Sequence, residues 1–151
     1  MRSTFKTSIQ NTFIAAAAVS GLGATSARAA LYLENGIECL DKGPTLSVGD
    51  LIDEDEDTRD ATNLGAHIKI YPSVLNRLKA QHLHPAGSSA PLKADYDKVD
   101  GTYEGRVTND FGVSYAYLVT PVGKDLKLEI WDAEQAKPVF SETFKNCSPL
   151  K

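Results

Sequence analysis

The chain is 151 residues long and holds two cysteines, three histidines, one methionine and one tryptophan. With imidazoles only at His67, His82 and His84, a histidine-rich metal centre is excluded and paired acid–base histidines are hard to assemble. No Gly-x-Ser-x-Gly elbow presents a nucleophile, no glycine-rich phosphate loop follows an expected strand, and the acidic run Asp53–Asp57 lacks the central Gly and terminal Glu of an EF-hand. Past the N-terminal segment no apolar run approaches the roughly 20 residues that a membrane-spanning helix needs. There is no internal repeat and no low-complexity tract.

What is present begins with a leader. Arg2 and Lys6 stand without an acidic neighbour, the apolar run Phe13–Val19 follows, and Ala27-Arg28-Ala29 closes the segment. This is the order of a signal peptide, too short and too broken by Ser20, Gly21 and Gly23 for an anchor. The expectation is cleavage near Ala29, a signal peptide over 1–29, and a single secreted, extracellular domain over 30–151. Arg2, Lys6 and Arg28 leave with the leader, so residues 30–151 keep 13 basic against 20 acidic side chains, a net charge of −7 with histidines neutral. Bulk negative charge disfavours nonspecific contact with nucleic acid or an anionic membrane.

Cys39 and Cys147 both survive in the exported part, and an oxidising compartment favours pairing them. The alternatives are two free thiols or an intermolecular bridge. A loop of about 110 residues closed this way gains roughly 4 to 5 kcal/mol at most, a large share of a typical net stability of about 5–15 kcal/mol. Asn146-Cys147-Ser148 is formally a glycosylation sequon, unused if its middle residue is bridged.

Asn35-Gly36 between Leu31–Glu34 and Ile37–Leu40 reads as a hairpin turn, because both positions of such a turn need positive φ. Ser47 then reads as an N-cap, with Val48, Leu51 and Ile52 on one helical face, early acidic residues suited to the helix dipole, and Gly65 as the stop. Asp53–Asp57 becomes a solvated helix face. Residues 66–71 alternate as a strand ended by Pro72, Ser73–Gln81 carries a further helical turn, and His84–Pro91 is loop by composition. Four strands follow: Thr102–Thr108, Val113–Thr120, Leu126–Trp131 and Val139–Lys145, joined by short links that imply an antiparallel meander. The expected fold class is α+β, one helix (47–64) packed on a four- to five-stranded antiparallel sheet, with an N-terminal hairpin and an end-to-end disulfide.

Two features hint at chemistry. His82-Leu83-His84 places two imidazoles on one side if extended, but on a loop before Pro85 solvated side chains are the simpler reading, and no metal or other cofactor is expected. Tyr71, Tyr96, Tyr103, Tyr115 and Tyr117, with Lys93, Lys98 and Arg106, fall on or beside the expected sheet, where aromatic platforms and cations hold single-stranded RNA in many proteins. Tyr71, Lys93, Tyr103, Arg106, Tyr115 and Tyr117 are the leading candidates. Tyrosines that fill the core are the alternative.

Tyr32 and Cys39, Tyr71-Pro72 followed by Asn76, the segment Pro91–Arg106 and the terminal Cys147 resemble the small secreted guanyl-specific ribonucleases of fungi, and the RNase-like effectors that plant-pathogenic fungi secrete on the same scaffold. The resemblance implies a microbial ribonuclease-like fold. It departs at the catalytic places: Ser73 stands where the family has histidine after Tyr-Pro, Lys93 or Asp95 where it has a glutamate base, Tyr115 and Tyr117 where it has arginine, and no histidine follows His84. Acid and base each supply about 10²–10⁴-fold in such chemistry, so no ribonuclease activity is expected. The implied function is a noncatalytic secreted effector, a monomer translocated into host cells or acting outside them, that binds a host protein in preference to RNA. The alternatives are a bacterial periplasmic or secreted inhibitor or accessory protein, and a small hydrolase whose carboxylates are hidden among the twenty.

Overall fold

Alternation of apolar and polar side chains dominates the second half of the chain, and strands rather than helices dominate the described residues. In the computed structural model, which describes residues 29–150, 59% of those residues are strand and 7% helix. The elements are β1 (Ala29–Leu40), β2 (Pro44–Asp55), β3 (Ala61–Ile70), α1 (Pro72–Ala80), β4 (Leu92–Asp97), β5 (Thr102–Thr108), β6 (Ser114–Val122), β7 (Asp125–Asp132), β8 (Phe140–Phe144) and β9 (Cys147–Pro149). One sheet contains all nine strands in the order β9-β1-β2-β3-β4-β5-β6-β7-β8. No helix among the described residues is long and apolar enough to cross a membrane. The leader expected over 1–29 lies outside the described residues except for Ala29, the first residue of β1.

Two compact units are distinguished. The described part of the smaller is residues 29–30 and Glu54–Ala61, the latter a tight turn. There the Asp55 carboxylate accepts hydrogen bonds from the backbone N–H groups of Asp57 and Thr58 at 2.9 and 3.1 Å. Those two donors, Thr58 first, hold its carboxyl below the usual value.

The larger unit, Leu31–Asp53 with Thr62–Lys151, is a nearly closed, barrel-like sheet. Its inward positions alternate strictly on the later strands: Tyr117 and Val119 on β6, and Leu126, Leu128 and Ile130 on β7, are buried. From β2 come Leu46 and Val48, from β3 Ile68 and Ile70, all in the same core cluster. The lone helix adds Val74, Leu75 and Leu78 to that core. Pro72 starts it, since a proline at the first helical position sacrifices no intrahelical N–H.

Closure falls to the chain between 140 and 149. β8 pairs with β7 through Leu126↔Phe144 and Ile130↔Phe140. The chain then kinks at Asn146, φ 57°, and β9 pairs with β1 through Cys147↔Cys39 and Pro149↔Ile37. Cys39 and Cys147 are directly opposed with Cα atoms 3.9 Å apart and form the disulfide. Leu40 N–H to Asn146 O (3.2 Å) and Leu150 N–H to Gly36 O (2.8 Å) extend this seam.

The architecture corrects the expected α+β fold. The sheet has nine strands and curls into a barrel, so the ribonuclease-like arrangement of one long helix on a four- to five-stranded sheet is not found. The helix expected over 47–64 is β2 and β3 with their turn, and Gly65 terminates nothing. Thr45 to Gly49 are buried on both faces of the strand, which erases the alternation that would have identified it. The expected N-terminal hairpin is also absent: β1 runs straight through Asn35-Gly36. Asn35 takes positive φ (57°) inside the strand, and a Cβ on Gly36 would collide with the Val48 carbonyl oxygen. The dipeptide that reads as a turn is a kink that lets β1 lie against β2. The four later strands occur where alternation places them, and the helical turn expected at 73–81 is the only helix among the described residues.

Candidate functional site

Register decides what the candidate tyrosines can do. Tyr103, Tyr115 and Tyr117 share one face of the β5–β6 ladder through the pairs Tyr103↔Val119, Gly105↔Tyr117 and Val107↔Tyr115, and that face is the interior. Tyr117 is 0% exposed. Its hydroxyl donates to the Leu83 carbonyl in the turn behind α1, and burial raises its phenol well above the ordinary value. Burial, with Tyr96 and Asp50 nearby, pushes Tyr103 up to about 12. Tyr115 is half-buried and packs against the same core. These three rings fill the barrel.

The remaining candidates lie elsewhere. Tyr71, half-buried at the start of α1, accepts from Ser47 Oγ (3.2 Å) and donates to Glu38 Oε2 (3.3 Å), with Lys69 Nζ 4.9 Å from its ring centroid. Burial first, then the Glu38 charge, raise its hydroxyl despite the bond from Ser47. Lys93 and Arg106 are exposed beside a shallow groove of about 260 Å³ between β4 and β5. Asp95 and Glu104 share that groove, and Glu104 lies 3.5 Å from the Arg106 guanidinium. Tyr96 is exposed at the end of β4, stacked on Tyr103 at 4.6 Å, and Lys98 is exposed in the turn that follows, so the leading six residues do not form one aromatic and basic surface.

The histidines are dispersed as well. His84, expected to be solvated, is 3% exposed. Its Nδ1 lies 3.1 Å from the Pro85 carbonyl and its ring meets Tyr117 edge-on at 6.3 Å. Desolvation is the leading cause of its lowered pKa. His82 instead stacks edge-on against Phe111 at 5.1 Å, and His67 Nδ1 lies 2.9 Å from the Gly65 carbonyl.

Recesses do exist where the barrel closes. On the α1 side a cleft of about 550 Å³ lies among Thr45, Ser73, Arg77, Glu142 and Lys145. Arg77 grips Glu142 with two bonds, 2.9 and 3.1 Å, that tie α1 to β8 and raise the arginine's already high pKa. The two charges offset each other, and Asp41, Ser73 and Asn146 also line the cleft. On the far side of the seam an apolar notch of about 310 Å³ is walled by Ile37, Pro121, Pro149 and the disulfide's Cys147. Lys145 from the first recess and Asp125 from the second form an ion pair at 3.2 Å between them.

Sequence reasoning missed this seam, because its walls come from segments as far apart as Ile37 and Pro149. The one sequence signal that pointed to it was the cysteine pair. Comparison with known protein families, with curated proteins and with solved structures finds no match to the chain.

Proposed function

We propose that the chain is an exported, noncatalytic binding protein that acts by engaging another protein through its surface, as a secreted effector does. The observation that carries the reading is the inward placement of Tyr103, Tyr115 and Tyr117, which turns the candidate RNA platform into core. A barrel packed with these rings and with Leu126, Leu128 and Ile130 has its interior filled, so recognition falls to the rim and the outer face. Charge supports a protein partner over RNA, with 13 basic against 20 acidic side chains in residues 30–151. The leader-like N terminus supports export.

The test is to incubate residues 30–151 with total RNA and, separately, with a panel of purified host proteins under electrophoretic and calorimetric readout. Saturable binding to a protein, with RNA intact and unshifted, is the expected result. RNA degradation that a single carboxylate change abolishes would overturn the noncatalytic reading.

A further inference from the structure

A strand edge without a neighbour is backbone chemistry left over, and β1 has such a stretch. Its neighbours in the sheet are β2 along one edge and β9 along the other. β9 is short: it pairs with Ile37, Glu38 and Cys39, and the last bond on that edge runs from Leu150 N–H to the Gly36 carbonyl at 2.8 Å. Among the described residues no strand pairs with residues 30–35 on the β9 side. Proteins commonly guard an open edge with charge or proline. Residues 30–33 carry neither, and Leu31 is 57% exposed.

Two oxygens fix which peptide groups face that open edge. The Gly36 carbonyl points to the β9 side, where Leu150 meets it. The Glu34 carbonyl points the other way, since it lies 2.7 Å from where a Cβ on Gly49 of β2 would stand. Asn35, with φ 57°, resets the alternation between them. In an extended strand the N–H and C=O of one residue share a direction and those of its neighbour take the opposite one. Leu33 and Leu31 therefore aim their N–H and C=O groups at the open edge, while Tyr32 and Glu34 aim theirs at β2.

This pattern is complementary to itself. A second copy brought in antiparallel about a two-fold axis through Tyr32 sets Leu31 against its Leu33 and Leu33 against its Leu31, so that outward groups meet outward groups in four N–H to C=O bonds. The opposed leucines also pack against one another on one face. Glu34, the only charged side chain in residues 30–35, falls opposite Ala30 of the second copy, where cleavage near Ala29 leaves a cationic amino group. Neighbouring registers fit less well. With the axis at Leu33, Ala30 of one copy runs onto Gly36 of the other, which Leu150 holds. With the axis at Leu31, Leu33 needs Ala29, which departs with the leader.

We propose that residues 30–34 are a dimerisation edge: two exported chains pair β1 to β1 about an axis through Tyr32, and two barrels share one continuous ladder. The interface is isologous, each copy giving and receiving the same bonds. Five residue pairs make a small interface, so the dimer is weak, with a Kd of about micromolar or above. The proposal goes beyond the protein-binding reading and shares with it only the cleavage near Ala29.

Sedimentation equilibrium of residues 30–151, with amide exchange mapped at low and high protein concentration, is the experiment. A monomer–dimer equilibrium is expected, with the Leu31 and Leu33 amides gaining protection as the dimer forms. Leu31→Pro removes an N–H that β2 does not use, so the unfolding midpoint should hold while dimerisation weakens about a hundredfold, both symmetry-related bonds being lost. Glu34→Gln, which leaves the backbone alone, should weaken it about threefold. A single monomeric mass at every concentration, a dimer protected elsewhere than at Leu31 and Leu33, or undiminished dimerisation of Leu31→Pro would overturn this edge and leave the protein-binding reading standing.

Discussion

The two ends of this barrel are capped differently. At the end where β3 finishes, α1 drives Val74, Leu75 and Leu78 into the core. The turn behind it is fastened by Tyr117 to Leu83, by Asn109 Nδ2 to His82 O (2.7 Å) and by Asp110 to Ala86 N–H (3.0 Å). At the other end the β4–β5 and β6–β7 turns carry Val99 and Val122 into solvent. Both use side-chain-to-backbone bonds to fix a turn and both leave apolar residues in solvent, Phe111 at the first and Val99 and Val122 at the second, but only the first is backed by a helix that buries Val74, Leu75 and Leu78. Burial by a helix is thus confined to one end of the sheet, and substitutions at Leu78 and at Val99 should differ accordingly.

The largest effect is expected from Leu78→Ala, which empties a fully buried helix position. It should cost about 2–5 kcal/mol in a urea-unfolding midpoint, as large-to-small changes in close-packed cores do. Tyr117→Phe keeps the ring and removes the donor to Leu83. An unpaired buried carbonyl should cost about 1–3 kcal/mol by the same measurement.

A pH series probes the capped end without mutation. His84 has a lowered pKa in the fold, so the native state binds fewer protons than the unfolded state just below the ordinary imidazole value of about 6.5. Its contribution is complete above that value and is lost as pH falls through the folded pKa. Thermal midpoints recorded from neutral to mildly acidic pH should fall, and His84→Gln should flatten that segment of the curve. An unchanged slope in the variant would detach the titration from this residue. The smallest effect belongs to the displayed end: Val99→Ser should move the unfolding midpoint by no more than about 0.5 kcal/mol. A loss at Val99 comparable to that at Leu78 would erase the distinction between the two ends.

How much of this was legible beforehand differs by region for physical reasons. β6 and β7 have one buried and one partly exposed face, so their alternation is visible in Tyr117, Val119, Leu126, Leu128 and Ile130. The cysteine pair was legible from its context. β2 hid its identity because both its faces are covered from Thr45 to Gly49, while Val48, Leu51 and Ile52 happen to fall on a helical spacing beside acidic residues suited to a helix start. Asn35-Gly36 has the chemistry of positive φ, and local chemistry alone does not distinguish a turn from a kink within a strand. Shared parity placed Tyr115 and Tyr117 on one face, but which face is the interior depends on closure of the sheet. The apolar notch was illegible for the same reason, since Ile37, Pro121 and Pro149 become neighbours only when the ring is complete.

The chain from Phe140 to Pro149 acts as a zip fastener between the first strand and the seventh. Without residues 140–149 the described strands are β1 to β7, a curled ribbon with two bare edges and a Cys39 whose partner is missing. Closing the ring and joining the sulfurs thus depend on the same few residues, because the register that sets Cys147 against Cys39 is the register that closes the sheet.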